Sequence, residues 1–239
     1  MNNLNKSFCL RKKDFFFRKE IRSFVFRRTK ISSFKKYIIT KYWKKFCVNF
    51  NYKKKKNFFY KKFPIIVDIG FGDGKKLIYD VQKNVGINFL GIEVYLNGII
   101  NCINKCNYYN ITNFKMIYFD AFKVFKYMLE DNSIFKVQIF FPDPWRKKKH
   151  NKRRLINLMF LSLIMLKLKK NGILHIMTDC KIYCKNIIKN IKFINFFKEF
   201  FFIENKYKFS DCNLNIFTKY ESKAKNKNNF IYNIIYKKI

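Results

Sequence analysis

From residue 64 onward the chain alternates short apolar runs with stretches long enough for a helix. The runs are PIIVDI (64–69), INFLGIE (87–93), FKMIYFD (114–120), FKVQIFF (135–141) and GILHIMTD (172–179). Compact apolar runs of this length predict strands, and the segments 75–84, 97–107, 151–170 and the stretch from 181 onward predict helices. Strands spaced by helices predict an α/β domain built on a parallel sheet with helices on both faces. The tail adds two β-rich runs, FFFIENKY (200–207) and FIYNIIYKK (230–238). The longest apolar run, 155–168, is interrupted by Asn157 and Ser162. A bilayer needs about 20 consecutive apolar residues, so this run reads as a buried helix.

The acidic residues follow the strands. Of only fifteen acids, Asp68 lies at the end of the first run, Glu93 closes the second, Asp120 the third, Asp143 follows the fourth and Asp179 closes the fifth. In sheets of this kind ligands bind beyond the carboxyl ends of the strands, so five such carboxylates predict one acidic rim. Three of the seven glycines, Gly70, Gly72 and Gly74, follow the first strand and let a ligand approach the backbone. Their spacing is G-x-G-x-G, not the dinucleotide fingerprint, and no phosphate-binding lysine motif accompanies it. Each acid alone is an ordinary strand end, and the glycines alone could be a tight turn. Taken together, Glu93 is placed for ribose hydroxyls and Asp120-Ala121 for an adenine. The set predicts a nucleoside cofactor without a phosphate clamp, and S-adenosylmethionine fits best.

The fourth strand leads into FFPDPWRKKKHNKRR (140–154). Two of the three prolines flank Asp143, and each ring fixes its own φ and drives the preceding residue toward extended conformations. The acid is therefore held on a loop, next to a basic run.

Charge changes the picture further. A net charge of +37 points to a polyanionic partner, although lysine, asparagine, isoleucine, tyrosine and phenylalanine also have A/T-rich codons. Arginine is more telling. Its eight copies cluster at Arg11, Arg18, Arg22, Arg27, Arg28 and at Arg146, Arg153, Arg154, and its planar fork suits phosphates and guanine edges. Residues 1–62 hold 21 basic against two acidic side chains, about half the excess, and read as a basic arm preceding a domain at 63–239. Seven cysteines with no signal peptide read as reduced cytoplasmic thiols. The pairs Cys102/Cys106 and Cys180/Cys184 share a helical face, but with two histidines in the chain no zinc site and no metal is expected. No membrane partner is expected either.

DIGFGDG, FLGIEV, FDA, the proline-aspartate-proline-tryptophan stretch with its basic tail, MTD and TKYE resemble, in order and spacing, the bacterial tRNA (guanine-N7)-methyltransferases. RSFVFRR (22–28) resembles that family's N-terminal arm, so the likeness runs from about Arg22 to the C-terminus and leaves 1–21 outside. The resemblance implies a class I, Rossmann-like methyltransferase fold with a mostly parallel seven-stranded sheet, acting as monomer or homodimer. It implies transfer of a methyl group from S-adenosylmethionine to N7 of guanine 46 in the tRNA variable loop. Asp68, Gly70, Gly72, Glu93, Asp120, Ala121 and Asp143 match its cofactor site, and Asp143 its catalytic position. Lys147, Asp179 and Thr218, Lys219, Tyr220, Glu221 match substrate positions. Lys149, His150, Asn151, Lys152, Arg153 and Arg154 match an RNA-contacting segment. Asp68 stands where the family usually has glutamate, EVYLNG (93–98) replaces a histidine-containing stretch, and SKAKNKNN (222–229) replaces a loop with arginine and glycines. Two other readings fit the residues: a basic tRNA-binding protein without turnover on the same fold, and a methyltransferase of another RNA base.

Guanine N7 already carries a lone pair, so no general base is required. Asp143 is expected to hold the guanine edge and offset the charge developing on the purine, and Trp145 to shape its loop or pack in the core.

Overall fold

The computed structural model describes residues 22–25, 30–52, 58–194, 197–201 and 230–239. Five parallel strands follow the apolar runs: β1 (Ile65–Ile69), β2 (Asn88–Glu93), β3 (Phe114–Tyr118), β4 (Ile134–Phe140) and β5 (Leu168–Thr178). Two further strands come from the tail, β6 (Phe197–Phe201) and β7 (Tyr232–Lys238). They join in the order β3-β2-β1-β4-β5-β7-β6, with β7 antiparallel to both neighbours. The run 200–207 overlaps β6 only at its start; the rest of it lies outside the described residues. Strand order reverses beside β1, which pairs with β2 on one side and β4 on the other, so the crevice of the sheet opens there.

Side chains alternate across the sheet and face two layers of helices. On one face α1 (Ser33–Phe46), α2 (Lys75–Lys83) and α3 (Leu96–Tyr108) bury Ile38, Phe46, Leu77, Val81, Ile99 and Ile103 against Phe89, Phe114 and Met116. On the other, α4 (Ala121–Tyr127), α5 (Leu158–Lys167) and α6 (Lys181–Lys192) pack Phe125, Phe160 and Tyr183 onto Val67, Val137 and Leu174. Burial of this apolar surface stabilises the fold at roughly 25 cal/mol per Å². Cys102 and Cys106 lie in the first of these cores, and burial pushes the Cys102 thiol well up, as befits structural thiols.

Three elements differ from what the pattern predicts. The stretch 151–170 splits into a 3-10 turn, Lys148–Arg153, and α5, because the Asn157 side chain accepts from the Phe160 N–H at 3.0 Å and starts a new helix. β5 begins at Leu168, four residues early, with Asn171 at φ 64° and a register shift opposite Ile134/Lys136. α1 arises inside the basic arm, capped by Ser32, and is tied to the domain by Lys35 Nζ donating to Asn97 Oδ1 at 2.9 Å. Its last turn runs into Cys47, which bridges in parallel to Met116 on β3. No helix among the described residues is long and apolar enough to cross a membrane.

Candidate active site

At the sheet's crevice a cavity of about 460 Å³ is lined by Asp68, Gly70, Gly72, Glu93, Asp120, Ala121 and Asp143, together with Phe119, Phe140 and Lys76. Its volume lies within the range of small-molecule sites, roughly 300–1,000 Å³. All seven residues matched to the cofactor site therefore line one cavity.

The glycine loop is shaped by β2. Gly70 and Gly72 have φ of 76° and 61°, and at both the space a Cβ would take is open. Gly72 N–H donates to Glu93 Oε2 at 2.7 Å, while Val94 and Tyr95 N–H donate to Oε1 at 2.7 and 3.0 Å. The Glu93 carboxylate thus knots the loop after β1 to the end of β2. Burial pushes this carboxyl up, and the three amide bonds oppose the shift. A carboxylate offers about four lone-pair sites. With three already used, Glu93 keeps room for one ribose hydroxyl, and a second must share a site with an amide. α3 packs close beneath the loop: a Cβ on Gly98 would collide with the Gly72 carbonyl oxygen.

Asp68 is buried on β1 and accepts from Gln138 Nε2 of β4 at 2.8 Å. Burial pushes its carboxyl up to about 7, against the opposing hydrogen bond from Gln138 and the nearby Lys76. Gln138 is a member of the site that the sequence did not single out; nothing in a polar residue within an apolar strand shows which neighbour it meets. Asp120 caps α4, its Oδ1 accepting from Lys123 N–H at 3.1 Å. Ala121 opens that helix and lies buried at the cavity wall.

Asp143 is exposed on a loop whose two ends adopt left-handed backbone, Phe141 at φ 52° and Trp145 at φ 44°. Non-glycine residues take that conformation at a cost, and only when their surroundings hold them. The Phe141 N–H donates to Met177 O of β5 at 2.8 Å, and Trp145 Nε1 donates to Ser23 O at 3.2 Å. Ser23, Phe24 and Val25 thereby line the cavity from the arm, a contribution that no spacing in the sequence reveals. Trp145 shapes the loop edge: the Arg153 guanidinium lies 4.9 Å from its ring and His150 meets it edge-on at 5.7 Å.

Lys147 precedes the 3-10 turn and, with Lys148, Lys149, Asn151 and Lys152, is exposed. Desolvation first, and then the charges of Arg153, Lys149, Lys147 and Lys152, hold the His150 imidazole below its usual value. Arg154 differs from its neighbours, for it is only 6% exposed. Asp179 directly follows β5, half-buried, and is not among the cavity's lining residues. Four of the five strand-end acids thus meet at one cavity. Thr218, Lys219, Tyr220 and Glu221 lie outside the described residues.

Strand order, the antiparallel β7 and a cavity at the point where the order reverses define a class I, Rossmann-like methyltransferase fold. A solved antibiotic-related methyltransferase, 15% identical, shares it with a TM-score of 0.51 over 78% of this chain and 98% of its own. The family model described as "Putative methyltransferase" matches residues 62–234. A tRNA (guanine-N(7)-)-methyltransferase of Buchnera aphidicola subsp. Baizongia pistaciae (strain Bp) is 40% identical over 228 residues, 92% of this chain and 91% of that protein. Its namesake from Buchnera aphidicola subsp. Schizaphis graminum (strain Sg) is 42% identical over 228 residues, 92% of each chain. The chain belongs to the tRNA (guanine-N(7)-)-methyltransferase family.

The residues present suit S-adenosylmethionine, the methyl donor of such enzymes. The two glycines leave open space where any other residue would put a Cβ, Glu93 has acceptor capacity left, and Ile92 and Phe119 give the cavity apolar walls. When bound, this cofactor supplies an electrophilic methyl group on a sulfonium.

Proposed function

We propose that this protein methylates N7 of a guanine in tRNA, at position 46 of the variable loop, with S-adenosylmethionine as donor. The observation that carries this reading is the position of Asp143, which lines the cofactor cavity on a loop directly followed by the exposed basic turn Lys148–Arg153. A base entering between cavity and turn meets the acid while its phosphates meet lysine.

Within this reading Gly70, Gly72, Glu93, Asp120 and Ala121 bind and orient the nucleoside part of the cofactor. Asp68, fixed by Gln138, closes the inner wall. Asp143 holds the guanine edge in line with the reacting carbon and offsets the positive charge that moves onto the purine, the kind of pre-aimed electrostatic stabilisation that accelerates charge-developing reactions. N7 has a lone pair, so no residue has to remove a proton. Lys147, Lys148, Lys149, Lys152 and Arg153 hold phosphates, with His150 and Asn151 between them; such contacts position RNA without reading sequence. Asp179 and Thr218, Lys219, Tyr220, Glu221 complete the substrate side. The target base has to leave its tertiary contacts to enter.

The test is incubation with methyl-labelled S-adenosylmethionine and unmodified tRNA, followed by borohydride and aniline treatment, which cuts the chain at N7-methylguanosine. A cut at guanine 46 is expected. Label incorporated without a cut would mean a different acceptor atom, and salt-sensitive tRNA binding without label would mean a binding protein.

A further inference from the structure

Arg154 sits last in a run of cations, yet its side chain turns away from solvent. At 6% exposure, its Nε donates to Pro144 O at 2.9 Å, and its guanidinium carbon lies 4.9 Å over the Tyr183 ring. Tyr183 is wholly buried in the first turn of α6, and its hydroxyl accepts from the Ile156 N–H at 3.1 Å. Arg154 thus joins the exit of the Asp143 loop to the helix that follows β5. The entrance is held separately, by Phe141 N–H on Met177 O. Between these anchors the Pro142 and Pro144 rings fix their own φ.

We propose that Arg154 is a positioning residue for Asp143: a brace between Pro144 and Tyr183 that sets where the carboxylate points, rather than a phosphate ligand like its neighbours. The inference rests on the function proposed above, in which Asp143 acts on the guanine. Its chemistry is particular to arginine. A planar guanidinium can donate from Nε along its edge while its face rests on an aromatic ring. A lysine keeps the charge but offers a point donor on a flexible stem, and does not satisfy both partners from one plane. A residue that only neutralised phosphate would tolerate that exchange.

The experiment compares full-length Arg154→Lys and Lys149→Ala with wild type. Turnover is measured at saturating tRNA and cofactor, and tRNA affinity over a salt series. Displacing catalytic groups by about 1 Å costs on the order of 100-fold in rate. Arg154→Lys is expected to lower kcat on that scale while leaving both tRNA affinity and its salt slope as in wild type. Lys149→Ala, which removes one phosphate contact, is expected to reduce the slope by about one unit and serves as the reference for a residue of the phosphate grip. In a Trp43→Phe background, the fluorescence of Trp145 should become more open to acrylamide quenching when Arg154 is lysine, a readout independent of turnover. Unchanged kcat in Arg154→Lys overturns the proposal. So does a salt slope lowered by about one, which would return Arg154 to the phosphate grip. So does a melting temperature that falls with undiminished kcat per folded molecule. If wild type makes no N7-methylguanosine, the functional reading fails on its own, and the quenching comparison still decides whether Arg154 holds the loop.

Discussion

Asp143 and Asp68 have opposite settings, one exposed at the cavity mouth and one sealed inside. Asp143→Ala is expected to abolish methyl transfer and leave tRNA binding within a few fold of wild type, measured by label incorporation and filter binding; equal loss of both would make it a structural residue. Asp68 is predicted to act on stability through pH. Its folded carboxyl titrates at about 7 against an ordinary value of 3.8, so between these values the folded state holds a proton that the unfolded chain has released. Its contribution is fully present below the lower value and is lost as pH rises toward 7. Asp68→Asn keeps an oxygen for Gln138 and removes the titration. The melting temperature of Asp68→Asn relative to wild type should therefore increase from pH 5 to pH 8. His175 works the other way. Burial and the nearby Lys136 hold its ring down to about 4, and Nε2 meets Asn233 Oδ1 at 2.7 Å, so it is neutral in the fold and is destabilising as pH falls from 6.5 toward 4. The two groups offset one another in that window, and Asp68→Asn should lose stability in acid more steeply than wild type.

At the scale of elements, the glycine loop depends on a helix it does not belong to. Adding a methyl at Gly98 forces α3 away from the Gly72 carbonyl and loosens the amide that Gly72 gives Glu93. Overpacking of this kind costs about 1–3 kcal/mol. Gly98→Ala should show that loss in urea unfolding together with weaker S-adenosylhomocysteine binding by calorimetry. Gly86→Ala, where the added Cβ meets open space, should change neither by much. The same elements show what the chain makes legible. β1 to β4 are readable to within two residues because they are apolar runs ending in an acid or a proline loop, and four of those strand-end acids do share a cavity. α1 is not readable, because its buried Ile38, Ile39 and Phe46 are a thin stripe among lysines and aromatics. The break before α5 is hidden because Asn157, inside a stretch that otherwise reads as one helix, caps a new helix start there. Arg154 was hidden for a third reason: a run of like charges does not say which member faces inward. Gln138 and the Ser23 carbonyl are tertiary partners, set by strand order and by the path of the arm.

For the molecule as a whole, charge governs encounter with RNA while the sheet governs integrity. A chain of net charge +37 should bind tRNA with steep salt dependence, and replacing both Lys148 and Lys149 by alanine should reduce the slope of log affinity against log salt by about two units, without moving the site of methylation. The sheet carries a consequence of a different kind. β7, made of residues Tyr232–Lys238, is inserted between β5 and β6 and pairs with β5 from Ile173 to Thr178. During synthesis β5 is therefore finished more than fifty residues before its partner exists. At roughly 5–20 residues per second, the nascent chain spends several seconds with that edge unpaired, and an unpaired apolar edge invites pairing with other chains. Success in folding inside a cell then becomes a race between translation and aggregation, decided by when β7 arrives.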